Sequence, residues 1–173
     1  MATKKIISKL NAQVKMEQTA SQIYLSMAIW CEQNALEGSA TFFYSQSDEE
    51  RSHMLKIIRY INSIGGIVDL EHIDSPSYKY SSLKMILEKG LENEKKVSAS
   101  INELTTFALS ERDFESFNFL QWFISEQVEE EQKFQFILDK FELLGNDGRA
   151  LYSINKLMGR ITASAEEEQG ESN

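Results

Sequence analysis

Phe117-Asn118-Phe119-Leu120-Gln121-Trp122-Phe123-Ile124-Ser125-Glu126-Gln127-Val128-Glu129-Glu130-Glu131 begins as an apolar segment and ends in carboxylates. Followed forward, positions 120, 123, 127, 130, 134 and 137 step by three and four, so they share one face of a helix. Leu120, Phe123, Phe134 and Ile137 make that face a core stripe, and Gln127 and Glu130 interrupt it in the middle, with Glu126 beside them. A stripe of this kind predicts a helix, from just after Ser110–Asp113 to about Leu144, that carries polar groups into a bundle interior.

Three more long helices are predicted upstream. The first spans about Lys4 to Gln33 on the series 10, 14, 17, 21, 24, 28, which places Glu17 and Tyr24 inward. After a short break around Leu36-Glu37-Gly38-Ser39, the second spans about Thr41 to Ile64 on the series 43, 46, 50, 53, 57, which places Glu50 and His53 inward, and Gly65-Gly66 closes it as a left-handed cap. The third starts at the capping pair Ser81-Ser82 and runs to about Leu109 on the series 83, 87, 90, 94, 97, 101, which places Glu94 inward. A short fifth helix is expected over about Arg149 to Met158. One domain covers residues 1–162, and the acidic stretch 163–173 lacks apolar content and is expected to be disordered.

The connection around Asp74-Ser75-Pro76-Ser77 has no helical period and reads as loop. About 14 residues can extend to about 45 Å. A 24-residue helix is about 36 Å long. The loop can therefore return along the whole bundle and leave helices two and three parallel; a compact loop with up-down-up-down order is the alternative.

Alone, each inward carboxylate has an ordinary explanation, because a lone Glu usually snorkels or pairs with a base. Glu50-x-x-His53 is likewise a common helical accident. Four interruptions, one per helix, are different. Like charges in a core repel and cost several kcal/mol each to desolvate. No Lys or Arg falls on the inward series, so a metal ion is the economical compensating cation. An oxygen-rich set with one imidazole suits iron or manganese better than structural zinc. Bundles that hold two such ions use carboxylates and Glu-x-x-His from facing helices, although only one full Glu-x-x-His occurs here.

Composition narrows the classes. The net charge of −9 disfavours nucleic acid. No apolar run is long enough for a membrane span. The single Cys31 excludes a cysteine-rich metal site and reads as a small buried thiol. No signal-like segment is seen, and a cytoplasmic protein is expected.

With Asp48-Glu49-Glu50-Arg51-Ser52-His53-Met54 and Phe117 to Glu131 in view, the sequence resembles a bacterial non-haem ferritin from Leu10-Asn11 to Leu151-Tyr152. The resemblance implies an all-α, ferritin-like four-helix bundle with a long crossover between helices two and three and a short C-terminal fifth helix. It implies Glu17, Glu50 and His53 as ligands of a first iron with Glu50 bridging, Glu94 and Glu130 as ligands of a second, and Gln127 beside the second. Glu49, Glu126, Glu129 and again Glu130 match a third iron site, and Tyr24 matches a tyrosine with an electron-donating role. It further implies Fe(II) and dioxygen as substrates and a homo-oligomeric cage of roughly 24 subunits. Haem is not expected. Arg51 stands where haem-containing bacterioferritin has methionine, and the second Glu-x-x-His of that branch is absent. A single cysteine rules out the cysteine-rich iron domain of rubrerythrin.

Overall fold

The computed structural model describes the backbone of residues 4–77 and 79–171 and the side chains of these as far as residue 163. Among the described residues five helices follow in order: α1 (Lys4–Gln33), α2 (Glu37–Ser63), α3 (Leu83–Ser110), α4 (Phe114–Leu144) and α5 (Gly148–Glu171). Among the described residues there is no strand, and no helix is long and apolar enough to cross a membrane.

The ends follow local chemistry. Ser82 caps α3 by accepting the Met85 N–H, and Asp113 caps α4 by accepting from Ser116. Gly65 takes φ +73° after α2, as the Gly-Gly pair requires. Two ends differ from expectation. Helix α2 begins at Glu37 rather than Thr41, because Gly38 is not a breaker: a Cβ there would lie 2.2 Å from the Asn155 carbonyl oxygen of α5. The glycine lets two helices touch. Helix α5 outruns the expected Met158 and carries its backbone through most of the stretch expected to lack structure. Ala and Glu in that stretch are good helix formers.

The crossover takes the long path. Asn11 donates to the Ile67 carbonyl and accepts from the Asp69 N–H, Lys15 bonds Glu71, and Ser26 donates to the Ser77 carbonyl and bonds the Tyr80 hydroxyl. The loop thus climbs α1 from Asn11 to Ser26, about 22 Å of helix. Helix α3 then starts at the far end and runs parallel to α2. Antiparallel α1 and α3 are held by Tyr24 against Gly90 and Glu94, and by Gln13 against Ser100.

The bundle interior splits into two apolar clusters. One holds Tyr24, Phe43, Leu87, Phe134 and Ile137, closed by Ile154 and Met158 of α5. The other holds Leu10, Val14, Ile57, Val97, Ile101, Leu120 and Phe123. Between them, on each of α1 to α4, lie the buried polar residues Glu17, Glu50, His53, Glu94, Gln127 and Glu130.

Candidate metal centre

Each side chain of the polar layer is delivered by the helical spacing read from the sequence. Glu17, Glu50, His53, Glu94 and Glu130 are all at most 2 % exposed. Ligand atoms of Glu17, Glu50 and His53 lie within 4.8 Å of one another. His53 Nδ1 stands 3.6 Å from Glu50 Oε2. That is too long for a hydrogen bond and suits two donors that share one ion.

Hydrogen bonding divides the layer in two. Glu17 Oε1 accepts from Gln13 Nε2 at 2.8 Å, while Glu17 Oε2, Glu50 Oε2, His53 Nδ1 and Glu130 Oε2 are buried without a donor, and the Glu17 and Glu50 carboxyls bond each other only by sharing a proton. Buried polar atoms are satisfied as a rule, so four such atoms in one layer are ones that could hold a cation. Glu94 differs, because both of its oxygens are engaged. The Tyr24 hydroxyl donates to Oε1 and Gln127 Nε2 donates to Oε2 at 3.0 Å. The Glu17–Glu50–His53 half is preformed, whereas the Glu94 half is held by the protein's own donors.

Electrostatics agrees. Burial first, then the Glu50 charge, pushes the Glu17 carboxyl well above the usual range. Burial and the Glu94 charge do the same to Glu50. Burial raises Glu94 as well, against the Tyr24 and Gln127 hydrogen bonds. Burial lifts Glu130 to about 8 in spite of Lys133. A cation in the layer would displace protons and relieve all four. An oxygen-rich set with one imidazole fits iron.

Tyr24 lies fully buried, stacked between Phe43 and Phe134 with centroid distances of 6.1 and 5.7 Å. Trp122 meets the His53 ring edge-on at 5.3 Å. Cys31 is buried and unpaired, and burial pushes its thiol up to about 12, as fits an inert core residue.

The outer carboxylates form a second group. Glu49, His53 and Glu126 bring ligand atoms within 4.8 Å of one another. They line a cleft of about 380 Å3 together with Ser45, Trp122 and Lys133. Glu129 is exposed; its charge raises the Glu126 carboxyl, after burial and the nearer groups, but it does not join the group.

The inward series carry no base, yet a basic residue does reach the layer. Lys133 Nζ is 2.7 Å from Glu130 Oε1 and 3.3 Å from Glu49 Oε2. Lys133 lies one position off the series, and its stem bends back one turn. Glu130-x-x-Lys133 is the i,i+3 pairing that announces it. Gln13 and Gln46 were also missed as donors; Gln46 Nε2 bonds Glu49 Oε2 at 2.6 Å.

The Ferritin-like domain family matches residues 7–144. The chain belongs to the ferritin family. Among its relatives, a Haemophilus influenzae protein named "Probable bacterial non-heme ferritin-like protein" is 39 % identical over 95 % of this chain and 100 % of its own length. A Campylobacter jejuni bacterial non-heme ferritin is 38 % identical over 95 % of this chain and 98 % of that one. In three dimensions this ferritin resembles an open-pore ferritin from the archaeon Archaeoglobus fulgidus, with TM-score 0.89 and 34 % identity over 92 % of this chain and 98 % of that one. The all-α bundle with its crossover is therefore the ferritin fold.

Proposed function

We propose that this ferritin is a cytoplasmic ferroxidase and iron store. It binds Fe(II) in the polar layer, oxidises it with dioxygen, and keeps the ferric product as hydrated oxide inside a homo-oligomeric shell of roughly 24 chains. The observation that carries the reading is the set of four buried, unpartnered ligand atoms on Glu17, Glu50, His53 and Glu130.

In this reading Fe(II) is substrate. Glu17, Glu50 and His53 receive the first ion, because their donor atoms already converge. Glu94 and Glu130 receive the second, with Glu50 between the two. Glu94 must first exchange a hydrogen bond, from Tyr24 or Gln127, for the ion. The carboxylates yield their protons as the ions bind, and the anionic set then favours Fe(III) over Fe(II) because the higher charge is better neutralised. Two Fe(II) lose one electron each and dioxygen takes both. Tyr24 gives a further electron to the reduced oxygen, and its phenolic proton passes to the Glu94 carboxylate that its hydroxyl bonds. The outer Glu49, Glu126 and Glu129 serve iron in transit between layer and cavity.

The test is aerobic Fe(II) addition to purified protein, following ferric absorbance and oxygen uptake beside the Glu50→Ala, His53→Ala double variant. The expected outcome is fast oxidation in the wild type, lost in the variant, with soluble iron far above a few ions per chain. Oxidation no faster than buffer in both proteins would overturn the ferroxidase reading.

A further inference from the structure

The resemblance gives Glu49, Glu126, Glu129 and Glu130 to a third iron, but in this chain a lysine already stands among them. Lys133 is on α4, one turn beyond Glu130. Its ammonium lies between an α4 carboxylate and an α2 carboxylate, at 2.7 Å from Glu130 and 3.3 Å from Glu49. Glu49 Oε2 is doubly engaged, since Gln46 Nε2 bonds the same atom at 2.6 Å. An ammonium and a divalent ion a few ångströms apart repel strongly in so sheltered a place. The two cannot share Glu49 and Glu130.

We propose that Lys133 is a built-in competitor for the outer metal position, so that this ferritin holds two divalent ions tightly per chain and admits a third only by displacing the lysine. The inference rests on the metal reading of the inner layer given above. Its device is steric and electrostatic. Lys133 also lines the cleft beside Glu49 and Glu126, and its four-carbon stem is flexible, so it can swing into that space. The same contact positions Glu130: Lys133 takes Oε1, and Oε2 stays buried without a hydrogen-bond partner. Lys133 is thus a positioning and specificity residue rather than a ligand.

The experiment is an anaerobic calorimetric titration of the full-length assembled protein with Zn(II), a divalent ion without redox chemistry. Wild type, Lys133→Met and Lys133→Arg are compared. Two tight zinc ions per chain are expected for wild type and Lys133→Arg. Lys133→Met is expected to gain a third, bound roughly tenfold or more tighter than any third event in wild type. If the methionine variant does not assemble, Lys133→Gln keeps a donor towards both carboxylates without the charge and is expected to gain the third ion as well. A wild type that already takes three tight ions, or an uncharged variant that gains none, overturns the role of Lys133 while leaving the inner centre intact. A wild type that takes no tight zinc overturns the metal reading itself, and this inference with it.

Discussion

Glu50 sits where no carboxylate would be placed for stability alone. It is 1 % exposed, close to Glu17, and under the charges of Glu94 and Glu130. Glu17, Glu50, Glu94 and Glu130 all have carboxyls raised by burial, Glu130 to about 8. Between the usual carboxylate range and about 8, the folded chain therefore holds more protons than the unfolded one. Its stability contribution from these groups is present at the acid end of that window and is lost as pH rises through it. In chelator, the Tm should fall from pH 6 to pH 8, and divalent metal should reverse the fall at pH 8. Glu50→Gln removes the charge and keeps the shape. It is expected to stabilise the chelated protein at pH 8 by roughly 1–3 kcal/mol, about 2–4 °C for each, while fast Fe(II) oxidation is lost. A variant that melts lower than wild type under these conditions would mean that Glu50 is a structural partner and not a strained ligand. Most of this layer was legible in the sequence, because a carboxylate that breaks an apolar stripe announces its own burial. Lys133 was not. Helical register fixes the direction in which a side chain leaves the backbone, but not where a flexible four-carbon stem ends.

At the scale of elements, the four long helices follow from their stripes, and the caps at Ser82 and Asp113 from their hydrogen bonds. The crossover path was left open by loop length alone. It is decided by tertiary bonds from Asn11, Lys15 and Ser26 that no local pattern specifies. Gly38 was legible only as a breaker, since its actual use depends on a helix more than a hundred residues later. There Ser39 Oγ and N–H both bond the Asn155 side chain, and Gly159 faces Gly38 at close range. Gly38→Val would drive a Cβ into the Asn155 backbone and part α5 from α2. The expected cost is about 1–3 kcal/mol, as for other overpacked contacts, seen as a lower Tm and faster proteolysis within α5. The polar layer belongs to α1–α4, so the initial rate of Fe(II) oxidation should stay within about twofold. A rate that collapses while α5 stays protected would place α5 in the chemistry and not merely in the scaffold.

The whole molecule separates its two tasks in space. On the proposed function every inner ligand comes from one chain, so oxidation needs only a folded bundle, whereas storage needs a closed volume. The surface suits assembly: Ile67 and Leu70 on the crossover are 82 % and 63 % exposed, and Phe114 at the start of α4 is 65 % exposed. Large apolar side chains on one chain's surface are the kind that an oligomer covers. With 19.9 kDa per chain, a shell of roughly 24 should elute near 480 kDa. Ile67→Glu with Leu70→Glu should break it into small species, because charges on a contact surface lose their hydration without gaining a partner. Those species are expected to oxidise the first two Fe(II) per chain at close to the wild-type rate, and then to fail. Ferric iron beyond a few ions per chain should precipitate, where the shell keeps it in solution. Gel filtration coupled to iron analysis reads both quantities in one run. Small species that still carry soluble iron far above their ligand count would mean that mineral is held on the bundle surface, and the need for an enclosed cavity would fall. If the charged pair instead leaves the large peak intact, the crossover lies outside the contacts, and the shell must close through other faces such as the one bearing Phe114.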